Sequence, residues 1–303
     1  MAAVLYDFGL DVRIQEEPED GLEKENRRRG IVGPRTLSAS RRLPAAGPTE
    51  KLNDSVRAYW EAEPCGAEGV VVGEAPKFSR EWFERIEEHR YDAEHFIHSV
   101  AQFTRYHGKK VLEIGVGAGT DHLQWARAGA NCCGVDLTDA AIESTRKRLE
   151  LYGLKSNLQR VDAEVLPFED EVFDVVYSWG VIHHSEHPKR IISEVKRVLK
   201  PGGVFIGMMY NRRSVFVFRM WVRHALLKGN PWRSFSHVLW YNMESLGTKA
   251  YTVAELKRLF SEFSDFSAQP IITRHEIRRI PRWLSQFFPG KWGWYIALKA
   301  RKP

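Results

Sequence analysis

The sequence predicts an α/β protein built on a doubly wound parallel sheet. Two observations carry this. Between residues 110 and 210, short apolar runs alternate with amphipathic stretches at the spacing of parallel βαβ units. A glycine-rich turn, "VLEIGVGAGTD" at 111–121, joins the first apolar run to the first amphipathic one. In such sheets, ligands sit at a turn of this kind, beyond the strand ends.

The elements follow in order. "KVLEIG" (110–115) is a strand, and "TDHLQWARAG" (120–129) a helix closed by Gly129. "NCCGVDL" (131–137) is the second strand, and "DAAIESTRKRLELYG" (139–153) a helix closed by Gly153. "LQRVDA" (158–163) and "FDVVYSWG" (173–180) are strands three and four. "HPKRIISEVKRVLKPGG" (187–203) is a helix with Pro and Gly as its stop signal, and "VFIGMMY" (204–210) is strand five. A helix capped by Thr252 and two closing strands, "FSAQPIITRHE" (266–276) and "WGWYIALKARK" (292–302), complete the chain. Ahead of the alternating region, residues 79–103 read as one or two amphipathic helices. Tyr59, Trp60 and Tyr91 are expected to help cover a pocket. Residues 1–51 mix charge with Pro, Ser and Ala and hold no sustained apolar period, so a disordered or flexible tail is expected there. One domain is then expected over 52–303. It divides into N-terminal cap helices (52–108), a ligand-binding core (109–210), a basic-aromatic insertion (211–250) and a C-terminal helix with strands (251–303). No internal repeat is present.

The composition excludes several classes. Three cysteines make no disulfide framework, and two of them, Cys132 and Cys133, are adjacent in an apolar run. Reduced, cytoplasmic usage is expected. The N-terminus has no basic region followed by an apolar core, and no apolar run reaches 18 residues, so neither a signal peptide nor a membrane span is expected. The net charge of +6 hides an asymmetry. Residues 211–303 hold 17 Lys and Arg against 5 Asp and Glu, with six of the ten tryptophans. A basic, aromatic third of the chain predicts an anionic or lipid-like partner. Within 211–235, Arg212, Arg219 and Arg223 fall near one helical face, and Val215, Phe218, Val222 and Leu226 on another. That pattern predicts peripheral contact with a membrane surface, or a lid over a lipophilic or acidic ligand. Nucleic acid ranks below these, because no RNA-binding module is recognisable.

The glycine turn is where the chemistry concentrates. Gly115, Gly117 and Gly119 let the backbone bend and a ligand approach, and the helix that follows offers N–H groups to an anion. Asp136 closes strand two, where an acid takes ribose hydroxyls in doubly wound folds. Asp162 and Ala163 follow strand three, where a carboxylate can accept from an adenine amino group beside a small residue. Strand four ends in "YSWGVIHH", at the mouth of the sheet.

The segment 110–212 resembles the class I S-adenosylmethionine-dependent methyltransferases, in particular the ubiquinone and menaquinone methyltransferase-like subgroup. The resemblance rests on "VLEIGVGAGT", "GVDLTDAAI", "VDAEVLPFEDEVFDVVYSWGVIHH" and "EVKRVLKPGGVFIG", in the family's order. It implies a seven-stranded Rossmann-like sheet with the last strand antiparallel, and S-adenosyl-L-methionine as cofactor, released as S-adenosyl-L-homocysteine. It also implies roles. Glu113 and the backbone at Gly115 would hold the methionine ammonium, and the Gly117–Gly119 amides would face its carboxylate. Asp136 would take the ribose, with Leu137 on the adenine. Asp162 and Ala163 would read the adenine edge, and Ser178 and Trp179 would line the methionine end. A nicotinamide dehydrogenase would want Gly-x-Gly-x-x-Gly, whereas the spacing here is Gly-x-Gly-x-Gly.

Three histidines, His183, His184 and His187, follow strand four. Adjacent histidines point in different directions and no thiol or carboxylate cluster joins them, so no metal site is expected. His183 or His184 is expected to line the acceptor pocket as general base, and His187 to enter the next helix. The expected activity is methylation of a small, lipophilic acceptor at oxygen or carbon. RNA methylation and a non-catalytic donor-binding or assembly role are the alternatives.

Overall fold

The structure, a computed structural model, describes residues 52–62, 67, 69–273, 276 and 289–303. The expected N-terminal tail and Cys65 lie outside them. Among the described residues seven strands form one sheet. They are β1 (Lys110–Ile114), β2 (Asn131–Asp136), β3 (Asn157–Arg160), β4 (Phe173–Trp179), β5 (Leu199–Tyr210), β6 (Ser264–Ile271) and β7 (Tyr295–Arg301). Their order is β3-β2-β1-β4-β5-β7-β6. β1 to β5 run parallel, and β7 runs antiparallel between β5 and β6. The expected sheet, including its antiparallel last strand, is the one formed. Strand order reverses between β1 and β4, so a crevice opens over their C-terminal ends.

Several strands differ from the sequence reading at their ends, β6 stopping at Ile271 and β7 starting at Tyr295. β3 stops at Arg160, because Asp162 Oδ1 accepts the Glu164 amide at 3.0 Å and turns the backbone. β5 starts early, at Leu199, which pairs with Phe173. The chain then bulges through Gly202 (φ +75°) before the ladder resumes at Val204 opposite Val175.

The helices are α1 (Leu52–Ala62), α2 (Gly69–Val72), α3 (Arg80–Ala93), α4 (Ile97–Ala101), α5 (Thr120–Arg127), α6 (Asp139–Leu151), α7 (Pro188–Val198), α8 (Val215–His224), α9 (Phe235–Asn242) and α10 (Val253–Leu259). Thr252 caps α10 in a reciprocal box with Glu255. The sheet is buried on both faces, so its strands alternate between two cores. Tyr177, Met208, Tyr210 and Tyr295 face one, with Trp125 and Phe216. Val176, Phe205, Met209 and Ile296 face the other, with Ile191, Val195 and Leu256.

The insertion carries apolar groups on two sides. α8 turns Phe216, Val217 and Met220 into the protein, while part of the expected apolar face of Val215, Phe218, Val222 and Leu226 stays exposed. Phe218 is 54% exposed and Leu226 44%. Arg212 lies ahead of the helix and pairs with Glu255 at 2.5 Å, apart from Arg219 and Arg223. The helix has apolar groups on both sides, which a single amphipathic stripe cannot represent.

Candidate functional site

One large cavity lies over the C-terminal ends of β1, β2 and β4. Its first wall is the glycine turn. Gly115, Gly117 and Gly119 all have positive φ, at +82°, +52° and +74°. Their surroundings differ. A Cβ at Gly115 would collide with Val181, and one at Gly119 would meet Thr145 Oγ1 at 2.9 Å. A Cβ at Gly117 would meet no atom within 4 Å, and the residue faces the cavity. Gly117 is thus the position where the missing side chain leaves room for a ligand. The turn's amides are engaged internally. Gly115 N donates to Val135 O at 2.8 Å, Gly117 N to Asp136 Oδ2 at 3.1 Å and Gly119 N to Val116 O at 2.8 Å. The Gly117 and Gly119 amides therefore do not present themselves to a carboxylate. The donors without a helical acceptor belong to the first turn of α5, from Thr120 onward.

The second wall carries the acids. Asp136 ends β2, and its Oδ1 accepts from the Thr138 amide at 3.0 Å and hydroxyl at 2.9 Å. Burial raises its pKa, against the hydrogen bonds from Gly117 and Thr138. Leu137, Asp162 and Ala163 line the same side. Asp162 Oδ2 accepts from Asn53 Nδ2 at 2.9 Å. Asn53 also donates to Glu164 Oε1 at 2.8 Å and accepts from the Glu186 amide at 2.8 Å. At the other end of α1, the Glu61 carboxylate accepts from the amides of Asp139 and Ala140, both at 2.9 Å, at the start of α6. α1 thus straps the mouth, with Asn53, Val56 and Trp60 lining the cavity. Of the three aromatics expected to cover a pocket, Trp60 does so. Tyr91 instead donates to Asp121 Oδ1 at 3.0 Å.

The floor is a buried polar network. Glu113 is 3% exposed, and its Oε2 lies 3.0 Å from His122 Nδ1. Burial, with Asp121 nearby, pushes the Glu113 carboxyl well above its ordinary range, and burial pushes His122 down to about 4. Asp121 goes the other way. Burial acts to raise it but is outweighed by the Arg90 guanidinium and by hydrogen bonds from Arg90, Tyr177 and Tyr91. Trp179 faces the cavity, with its Nε1 donating to Glu94 Oε2 at 2.6 Å. Ser178 points away and donates to Ile114 O at 3.1 Å, so it does not line the cavity with Trp179.

The histidines separate. His184 lines the cavity, and its Nδ1 lies 2.8 Å from Ser245 Oγ and 3.1 Å from Thr248 Oγ1. Burial lowers its pKa to about 3. His183 is fully buried outside the lining, its ring 3.8 Å from that of Tyr210. Among the described residues neither of its ring nitrogens has a partner. His187 is the N-cap position of α7, as expected. No cluster of three or more metal-binding side chains occurs among the described residues. Burial pushes Cys132 up to about 12. Beyond His184 the cavity is aromatic, walled by Tyr210, Trp294 and Tyr295. Tyr210 and Trp294 stack at 4.1 Å, and the Tyr210 hydroxyl donates to Glu244 Oε1 at 2.6 Å. The sequence reading missed Arg90, Glu94, Asp121, Asn53 and this aromatic end. Only Asp121, next to the glycine turn, carried a positional signal.

Residues 112–207 match the family model described as "Methyltransferase domain". They form a class I methyltransferase domain. A phthiotriol/phenolphthiotriol dimycocerosates methyltransferase of Mycobacterium tuberculosis is 45% identical over 100 residues, 32% of this chain and 36% of that protein. A ubiquinone biosynthesis O-methyltransferase of Maricaulis maris is 34% identical over 110 residues, 36% of this chain and 43% of that one. The match thus spans only about a third of the first relative's length. Among solved structures, magnesium protoporphyrin IX methyltransferase from Synechocystis, with bound SAH, aligns at a TM-score of 0.55. It is 14% identical over 82% of this chain and 98% of its own. The [4+2]-cyclase SpnF aligns at 0.51, with 20% identity over 83% of this chain and 92% of its own. At such identities the likeness concerns the fold of the methyltransferase domain, not its chemistry.

Proposed function

We propose that this protein transfers a methyl group from S-adenosyl-L-methionine to oxygen or carbon of a small, lipophilic acceptor, leaving S-adenosyl-L-homocysteine. One observation carries the reading. The open space at Gly117 and the carboxyls of Glu113, Asp136 and Asp162 all border one cavity whose far end is aromatic. The residues suit the donor. Burial disfavours the charged form of the Glu113 carboxyl, and a cationic ammonium beside it would offset that cost. Asp136 suits ribose hydroxyls, Asp162 an adenine amino group, and Leu137 and Ala163 the ring. Bound donor would supply an electrophilic methyl on a sulfonium, so the protein need supply no nucleophile.

The chain's own part is positioning and exclusion of water. Trp179, fixed by Glu94, and Trp60 on α1 form apolar walls. Tyr210, Trp294 and Tyr295 suit a flat or lipophilic acceptor. The named activities of the two relatives, on phthiotriol-type and ubiquinone-pathway compounds, support this choice. At the acceptor end the groups able to take a proton are His184 and the Tyr210–Glu244 pair. The test is calorimetric titration of S-adenosyl-L-methionine and S-adenosyl-L-homocysteine into the wild type and Asp136→Ala. Micromolar binding is expected, at least tenfold weaker in the variant. Absence of binding to the folded wild type would refute the reading.

A further inference from the structure

We infer that the outer face of the 211–243 insertion is a docking surface for an anionic lipid bilayer. The inference is independent of the donor reading, because none of the residues placed at the bilayer lines the cavity. It starts from an imbalance in exposed apolar groups. Of the eleven large apolar side chains exposed among the described residues, six lie within residues 218–241. They are Phe218, Leu226, Leu227, Trp232, Phe235 and Tyr241. Leu227 is 75% exposed and Trp232 76%. Scattered apolar groups need no explanation, but a concentration of this kind marks a contact surface.

Phe218, Trp221 and Phe235 form one aromatic run across the two helices. α8 and α9 pack on one another, and the Phe218 and Trp221 rings stack at 6.2 Å. Trp221 meets Phe235 of α9 edge-on at 5.8 Å. The Trp221 Nε1 donates to Arg233 O at 2.7 Å, which holds the Trp232–Arg233 loop against the helix.

Charge selects the partner. Residues 211–243 contain six Lys or Arg and no Asp or Glu. Arg213, Arg219, Arg223, Lys228 and Arg233 are exposed among the apolar groups. Cations mixed with Trp, Tyr, Phe and Leu on one surface match the interfacial layer of an anionic membrane. RNA would be served by the cations and the aromatic rings. It gives no reason for an exposed Leu226–Leu227 pair. The opposite side of α8 points to the cavity's aromatic end, with Phe216 against Trp294 at 4.5 Å. A bilayer on the outer face therefore lies one helix away from the aromatic end. No helix among the described residues is long and apolar enough to cross a membrane.

The test uses the full chain in flotation with vesicles of phosphatidylcholine alone or with 30% phosphatidylglycerol. Binding to the anionic vesicles at least tenfold above the neutral ones is expected, weakening but persisting at 0.5 M salt. Leu227→Asp with Trp232→Asp, and separately Arg219→Glu with Arg223→Glu, should each reduce it at least tenfold. All four residues are exposed, so circular dichroism and melting should be unchanged. Absence of vesicle binding would overturn the inference, as would binding that ignores the Leu227 and Trp232 changes. Single-stranded RNA bound more tightly than vesicles, and lost only with the arginines, would overturn it too. Donor titration of the same variants should be unaffected, which keeps this outcome separate from the methyl-transfer reading.

Discussion

Arg148 on α6 is fully buried, and replacing it should cost more stability than any exposed charge in this chain. Its Nη1 donates to Thr120 Oγ1 at 2.6 Å and Ala118 O at 3.2 Å. Its Nη2 donates to Phe83 O at 2.7 Å and Glu87 Oε2 at 2.9 Å. One guanidinium thus ties α3 to the end of the glycine turn. Removing one partner of a buried pair costs ~3–5 kcal/mol. Glu87 keeps Gln124 at 3.0 Å and Arg127 at 3.1 Å on its other oxygen, and its side chain is 23% exposed. The low end is therefore expected for Arg148→Met, about 3 kcal/mol. For a domain of this size that lowers Tm by ~6–12 °C. Two of the four bonds end on Ala118 and Thr120, both lining the cavity, so donor affinity should fall as well. Urea denaturation and calorimetric titration with S-adenosyl-L-homocysteine read both effects. Glu87→Gln should cost less in the Arg148→Met background than on its own, since the Arg148–Glu87 pair is then already lost. A loss under about 1 kcal/mol would refute the reasoning, as would a double variant whose losses simply add.

Three further outcomes follow from the same structure. Gly117→Ala should fold at a backbone cost of about 1 kcal/mol and lose donor binding at least tenfold, because its Cβ enters the cavity. Gly115→Ala should fail first in a thermal melt, because its Cβ meets Val181. Glu276 accepts from Thr273 and Trp294 through Oε2, and burial raises its pKa to about 7. A carboxyl raised in the folded state stabilises fully below its unfolded pKa, and that contribution is lost as pH rises through 7. Relative to Glu276→Gln, the wild type should lose about 2–3 kcal/mol between pH 5 and pH 9, read by urea titration at each pH. A constant difference between the two would sink the assignment.

What the sequence revealed and what it hid divide along sequence separation. The glycine turn, Asp136 and Asp162 were legible because each sits within a few residues of a strand end, where turn chemistry shows locally. Ser178 was misread by one register step. In a strand neighbouring residues face opposite sides, so Trp179 enters the cavity and Ser178 bonds to Ile114. The cover by Trp60 was legible, but the polar anchors of α1 were not, since Asn53 meets Asp162 across 109 residues and Glu61 meets Asp139 across 78. Arg148 sits in "STRKRLE", which reads as a solvated face. Only the packed helices show that its neighbour Lys147 is exposed and Arg148 is not. α8 was only half legible for a different reason. A helix with apolar groups on two sides offers two faces for burial, and the sequence period does not choose between them.

The same buried network bears on how methyl transfer would be catalysed. A pKa near 3 leaves the His184 imidazole neutral at pH 7, but its charged form is disfavoured by about 5 kcal/mol relative to water. As a base it would need a compensating negative charge. Glu244 Oε1 lies 3.5 Å from His184 Nε2, and the same oxygen accepts from Tyr210. A proton leaving an acceptor would thus enter a shared His184–Glu244–Tyr210 cluster rather than one imidazole. The Trp179 indole is fixed by Glu94, and Asp121 stays ionised between Arg90, Tyr91 and Tyr177. These groups are fixed by partners within the protein, so they need little reorganisation during a reaction. Such an arrangement favours catalysis by fixed geometry, with proton removal secondary. An acceptor whose hydroxyl is already acidic should then depend less on His184 than on Trp179.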